Sequence, residues 1–326
     1  MVEEKMQTFS HFLELPAELS TMMVDKMEPD DRCRFSGSSK SCNKEAKSSK
    51  NYIYGLEFYT FGRRFYIDVV HGEPINSDEP FRGYTLVFDQ SFDDRYMIYG
   101  KPRHGVLYET ELEDSINLCQ YAINYFKNLL ENYGKTIKNL RINVKNLTIF
   151  QKNFDFGITN LRSLEHLNVN GDVDIRQFFP KIRKNLNTLI ITENINTDHL
   201  EEVEEIYQVS GKLITPAIQL NNKQFQRLSA PTMYIHVGHL KERDIFNFIQ
   251  SWQNGTIEKK VERVWWDLLN NSTFDVQELF KFFGEKINDS EYKRIDIKHY
   301  KEAGKRATFT LCMKHLIFKV YNERKE

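Results

Sequence analysis

Residues 261–270 read VERVWWDLLN. The tryptophan pair lies inside a short strand-like run rich in β-branched and aromatic residues. Period two sends Trp265 and Trp266 to opposite faces of a sheet. Either both rings are covered, or one is partly exposed and contacts a ligand. The same short core recurs along the chain as IKNLRINVKNL (137–147), LEHLNVNGDV (164–173), LNTLIITENI (186–195), PTMYIHVGHL (231–240) and YKRIDIKHY (292–300). Helix-like segments separate several of these cores: DIRQFFPKIRKN (174–185), TDHLEEVEEIYQVSG (197–211), KERDIFNFIQSWQNG (241–255) and FDVQELFKFFGEKIN (274–288). The spacing is about 22 to 31 residues, with one skipped or degenerate unit near KLITPAIQLNN (212–222). Strand, connection and strand at this period predict an irregular leucine-rich-repeat-like βα solenoid. A last pair, ATFTLCM (307–313) and LIFKVYN (316–322), closes the far end and protects its edge.

Upstream, YIYGLEFYT (52–60), RRFYIDVV (63–70), YTLVFDQ (84–90) and RYMIYGK (95–101) are rich in aromatic and β-branched residues and read as hairpin strands. They are followed by ELEDSINLCQYAINYFKNLLENYG (111–134). Leu112, Ile116, Cys119, Ile123, Phe126 and Leu130 recur there at helical spacing, and Gly134 marks the end. The N-terminal stretch HFLELPAELSTMMVDKMEPDDRCRF (11–35) has another texture. Pro16 suits a first helical turn. Leu19, Met22, Met23 and Met27 follow at intervals of three or four, on one face. Asp30 or Asp31 can cap a second, polar helix over about 31–49. Two helices with so few large apolar residues cannot bury enough surface to stand alone. They must dock on something. The fold class expected is α+β: an N-terminal helical module (1–50), then hairpins and the repeat-like solenoid (51–326).

The chain has 326 residues, a net charge of −1 and 40% hydrophobic residues. A real core is expected, and near-zero charge argues against a dedicated nucleic-acid binder. Cys33, Cys42, Cys119 and Cys312 form no CxxC pair, so neither zinc nor redox chemistry is indicated. The acidic start MVEEKMQTFS is no signal peptide, and no stretch reaches the roughly 20 apolar residues of a membrane span. A cytoplasmic or nuclear location fits. Gly134-Lys135-Thr136 lacks the first glycine of a phosphate loop, with Leu129 in its place. His236 and His239 lack a third metal ligand. No GxSxG or HExxH occurs. Neither catalytic residues nor a cofactor nor a metal is expected.

The N-terminal stretch resembles an F-box. That family begins Leu-Pro-x-Glu, places Ile or Leu eight and twelve residues on, and continues with an Asp-initiated second helix. Leu15, Pro16 and Glu18 match outright, Met23 and Met27 stand at the Ile and Leu positions, Asp31 opens the second helix and Phe35 fills its first apolar slot. Lys40 matches a basic position, whereas Ser38 and Cys42 stand where the family has Val and Trp. Farther on, NFIQSWQNG (247–255), with Phe248, Ile249, Trp252 and Gly255, is similar to a stretch of the F-box-associated domain of nematode-expanded F-box proteins. The resemblance implies a substrate receptor of an SCF-type cullin-RING ubiquitin ligase. Leu15, Pro16, Glu18, Leu19, Met23, Met27 and Phe35 would bind a Skp-type adaptor, and through it a cullin. A target protein would bind the C-terminal domain, where Tyr234, His236, Trp265, Asp267 and Asp296 alternate within strands and are candidates for its open side. The same opening segment would serve a non-ligase adaptor-binding protein, an inhibitor or antidote. An enzyme of unrecognised class built on the βα units is the third reading.

Overall fold

The computed structural model describes residues 19, 23, 24, 27, 53–62, 64–71, 83–90, 96–102, 109–112, 118–144, 161–171, 173, 175–182, 185–192, 203–257, 260–268, 274–286 and 292–322. Two compact units emerge from the packing. The first comprises Met1–Asn143 with Asp155–Leu164, the second Val144–Phe154 with Glu165–Glu326.

In the first unit, strands β1 (Ile53–Phe61), β2 (Arg64–His71), β3 (Gly83–Gln90), β4 (Tyr96–Pro102) and β5 (Glu109–Leu112) form an antiparallel meander. Helix α1 (Leu118–Tyr133) then leads to β6 (Asn139–Val144), which pairs parallel to β1, giving the order β6-β1-β2-β3-β4-β5. Ala122, Ile123, Phe126 and Leu130 recur at helical spacing and are buried. Phe126 packs on Phe58 at 5.1 Å between ring centroids, and Tyr125 sits edge-on to Phe88 at 5.9 Å. Phe58, Ile67, Leu86 and Phe88 project to this helix-covered face and are fully buried. Each such side chain stabilises by roughly 1.5–3 kcal/mol. Leu112 does not belong to this helix, because it is taken by β5.

The second unit begins with β7 (His166–Gly171) and two 3₁₀ turns, Ile175–Gln177 and Phe179–Lys181. There follow β8 (Thr188–Thr192), α2 (Glu204–Tyr207), β9 (Lys212–Gln219), α3 (Asn222–Arg227), β10 (Thr232–His236), α4 (Glu242–Gln253), β11 (Arg263–Asp267), α5 (Val276–Phe282), β12 (Tyr292–Lys298), β13 (Lys305–Cys312) and β14 (His315–Asn322). Strands β7 to β11 lie parallel in chain order. Beside β11 the direction reverses: β14 pairs with it antiparallel, then β13, and β12 forms the edge. Phe225 of α3 and Phe248 of α4 pack on Trp266 at 6.1 and 5.8 Å, Trp252 on Phe318 at 5.1 Å, and Phe280 of α5 on Phe309 at 5.4 Å. These contacts place the helices on the face that carries Met233, Ile235, Val264, Trp266, Leu316 and Phe318, all fully buried.

This architecture corrects the expected fold class. The chain forms mixed sheets with few helices, not a leucine-rich-repeat-like solenoid. A solenoid stacks every unit on its predecessor. Here the sixth core, YKRIDIK, leaves that order for the sheet edge, where of its seven residues only Ile297 is buried. Its alternating charges suit an edge strand. The supposedly skipped unit is a full member, β9, whose pairing with β10 slips where Pro216 supplies no N–H. The expected N-terminal helical module is not seen among the described residues. Leu15, Pro16, Glu18 and Phe35 lie outside them, and Leu19, Met23 and Val24 are helical.

Candidate interaction surface

Helices cover one face of the second unit's sheet. Strand parity sends every other side chain to the opposite face, where residues are partly exposed. Register aligns them into rows across the strands. One row runs Ile190, Ile214, Tyr234, Trp265, Ile317. A neighbouring row runs Lys212, Thr232, Arg263, Lys319. On the other side of the apolar row, His236 lies opposite Asp267, which lies opposite His315. The β13–β14 turn fixes much of this. Met313 takes φ 50°, the left-handed conformation a tight hairpin needs. That turn sets Cys312 opposite His315 and so puts His315, Ile317 and Lys319 on the open face.

Four of the five sequence-derived candidates meet here. Tyr234 donates its hydroxyl to Asp267 Oδ2 at 3.2 Å and sits edge-on to Trp265 at 6.3 Å, 86° between planes. Burial, then the Asp267 charge and this hydrogen bond, raise the Tyr234 hydroxyl above its ordinary pKa. Asp267 is only 5% exposed, and His315 Nδ1 faces its Oδ1 at 3.7 Å. His236 Nδ1 accepts the Gly238 N–H at 2.9 Å, which ties the ring to the turn after β10. Asp296 shares the face but not the cluster. It stands on edge strand β12, in line with Thr308 and Lys319, exposed and paired with Arg294 at 3.0 Å. Sequence reading missed Arg263 and Lys319. Arg263 lays its guanidinium over the Trp265 ring at 4.8 Å, and Lys319 reaches the same patch only because β14 inserts beside β11. An open cleft of about 540 Å³ adjoins both and is also lined by Thr232, Tyr321, Lys260 and Lys305. Among the described residues, no three His, Cys, Asp or Glu side chains gather as a metal site, and no helix is long and apolar enough to cross a membrane.

The first unit has its own polar row: Arg141, Glu57, Asp68 and Thr85 lie opposite one another on β6, β1, β2 and β3. Arg141 Nε contacts Glu57 Oε1 at 3.2 Å, and Asp68 Oδ1 is buried without a hydrogen-bond partner. Burial raises both carboxyls above their ordinary range, opposed by the Arg141 charge and, for Asp68, by a Thr85 hydrogen bond. Burial first, then neighbouring negative charge, pushes the Tyr59 hydroxyl up to about 12. A carboxyl with a raised folded-state pKa holds its proton more tightly in the folded chain. Its charge therefore costs stability above the raised value, and the cost fades as pH falls towards the unfolded value. Asp68→Asn is accordingly expected to raise the melting temperature at about pH 8, with the gain shrinking towards about pH 4. Melting curves of both proteins across that range check it. A gain that grows on acidification contradicts the expectation.

Comparison with protein-family models, curated proteins and solved structures found no match.

Proposed function

We propose that the chain is a substrate receptor of an SCF-type cullin-RING ubiquitin ligase. It would hold a Skp-type adaptor through its Leu-Pro-initiated N-terminal segment and a target protein through the open face of the second unit. The observation that supports this most is at Leu19 and Met23. They stand one helical turn apart and are 48% and 49% exposed, whereas neighbouring Val24 is fully buried. The Met27 N–H donates to the carbonyls of Met23 and Val24, continuing the turn. A surface turn that offers two large apolar side chains while burying a third suits helix-in-groove docking. Met adapts to an irregular partner surface. The receptor would make no bond itself; its contribution is proximity, holding target lysines near a charged conjugating enzyme.

The Leu19→Asp, Met23→Asp double variant is expected to lose adaptor co-purification. Burial of each anchor is worth roughly 1.5–3 kcal/mol, so recovery should fall more than tenfold. The melting temperature should stay within a few degrees, since both positions are exposed. Undiminished adaptor recovery would refute the reading. Adaptor recovery without cullin would point to the inhibitor or antidote alternative.

A further inference from the structure

We propose that the open face of the second unit binds an extended acidic segment of protein in which acidic and apolar residues alternate. Lys212, Arg263 and Lys319 form one aligned row on β9, β11 and β14. None of the three has an ion-pair partner among the described residues. Arg263 stands directly opposite Lys319 in an antiparallel pair, and like charges so placed destabilise a sheet. Lys260 and Lys305, at the adjoining cleft, are by contrast neutralised by Glu262 and Glu302. The unneutralised row calls for negative charge from outside.

The apolar row supplies the second half of the specificity. Tyr234, Trp265 and Ile317 lie two residues along the same strands from Thr232, Arg263 and Lys319. That offset is about 7 Å. From Lys212 to Lys319 is three strand spacings, about 14 Å. An extended chain covers that distance in about four residues, with side chains alternating to its two sides. Laid between the rows, it points one set at the cations and the other at Tyr234, Trp265 and Ile317. Arg263, its guanidinium carbon 4.8 Å from the Trp265 ring centroid, has a fork of N–H donors suited to a carboxylate.

A single-stranded nucleic acid fits less well. Tyr234 and Trp265 stand edge-to-face, and Arg263 occupies a Trp265 ring face that a base would need. Aliphatic Ile190, Ile214 and Ile317 match apolar side chains.

That the bound segment belongs to a ubiquitination target rests on the receptor reading; the surface itself does not. The test is fluorescence anisotropy of the full chain with a labelled peptide of alternating Glu and Leu, against a Lys and Leu peptide and a single-stranded oligodeoxynucleotide. The acidic peptide should bind at least tenfold more tightly than either, and weaken as salt rises. Lys212→Gln, Arg263→Gln, Lys319→Gln together should weaken it at least tenfold, with melting temperature and adaptor recovery retained. If that triple variant fails to fold, Arg263→Gln alone should weaken binding at least threefold. Equal binding of the two peptides, preference for the oligodeoxynucleotide, or indifference to neutralisation would overturn the proposal. Peptide failure with adaptor recovery intact rejects this site and leaves the receptor reading standing. Adaptor failure with peptide binding intact does the reverse.

Discussion

Trp266→Ala is expected to destabilise the second unit by about 3–5 kcal/mol, the range for truncating a buried large aromatic. Trp265→Ala, one residue away, is expected to cost about 1 kcal/mol or less. Trp266 is fully buried among Phe225, Phe248 and Phe309, whose ring centroids lie at 6.1, 5.8 and 6.4 Å. These rings come from α3, α4 and β13, so the cavity would open where two helices meet the sheet. In a unit of this size the loss lowers the melting temperature by roughly 10 °C. Trp265 faces the open side, half-buried, where its ring meets Tyr234 and Arg263. A third variant separates packing from polarity. The Trp266 indole N–H is buried without an acceptor, so Trp266→Phe removes an unsatisfied donor and offsets part of the lost volume. It should cost clearly less than Trp266→Ala. Thermal melts of the three variants decide the matter. Equal losses at 265 and 266 would mean that the open face is not open.

How much of this was legible in the sequence depends on how local each feature is. The opposite facing of Trp265 and Trp266 follows from period two alone and holds in the structure. So does the burial of Phe248, Ile249 and Trp252 in NFIQSWQNG, since i, i+1 and i+4 share a helix side. The fold class was not legible. An interval of some 22 to 31 residues between strand cores is compatible with a solenoid and also with parallel strands inside a mixed sheet. Where the chain goes after β11 decides between them: the alternating charges of YKRIDIK suit an edge strand, but nothing in it says that the place beside β11 will be left to β14. The cation row was hidden for the same reason. Arg263 and Lys319 are 56 positions apart by number, and their pairing needs both the inserted strand and the left-handed Met313 turn. The Glu57 and Asp68 pair likewise exists only through the β1–β2 register. Leu112 misled in the other direction. It sits in phase with the helix that follows, but periodicity does not record where a strand has already claimed the residue.

Gly211→Ala should destabilise the second unit by about 3 kcal/mol although it adds one methyl group. A Cβ built at Gly211 would lie 2.3 Å from Asn187 Oδ1 and 2.7 Å from the Asn187 carbonyl oxygen. Rotation of the Asn187 side chain relieves the first contact. Nothing comparable relieves the second, because that carbonyl accepts the Gly211 and Lys212 N–H groups at 3.0 and 2.8 Å and so starts the β8–β9 ladder. The Gly211 carbonyl in turn accepts the Thr232 N–H at 3.2 Å, so a displaced β9 disturbs β10 as well. Overpacking accounts for about 1–3 kcal/mol, and each strained hydrogen bond for about 1 kcal/mol. The companion variant Asn187→Ala should recover only a minor part of the loss. Complete recovery would show that the amide side chain, not the backbone, is the obstacle. The same displacement shifts Lys212 away from Thr232 and Arg263. Gly211→Ala, assayed well below its melting temperature, should therefore also weaken the acidic peptide, which a purely local packing defect would leave unchanged.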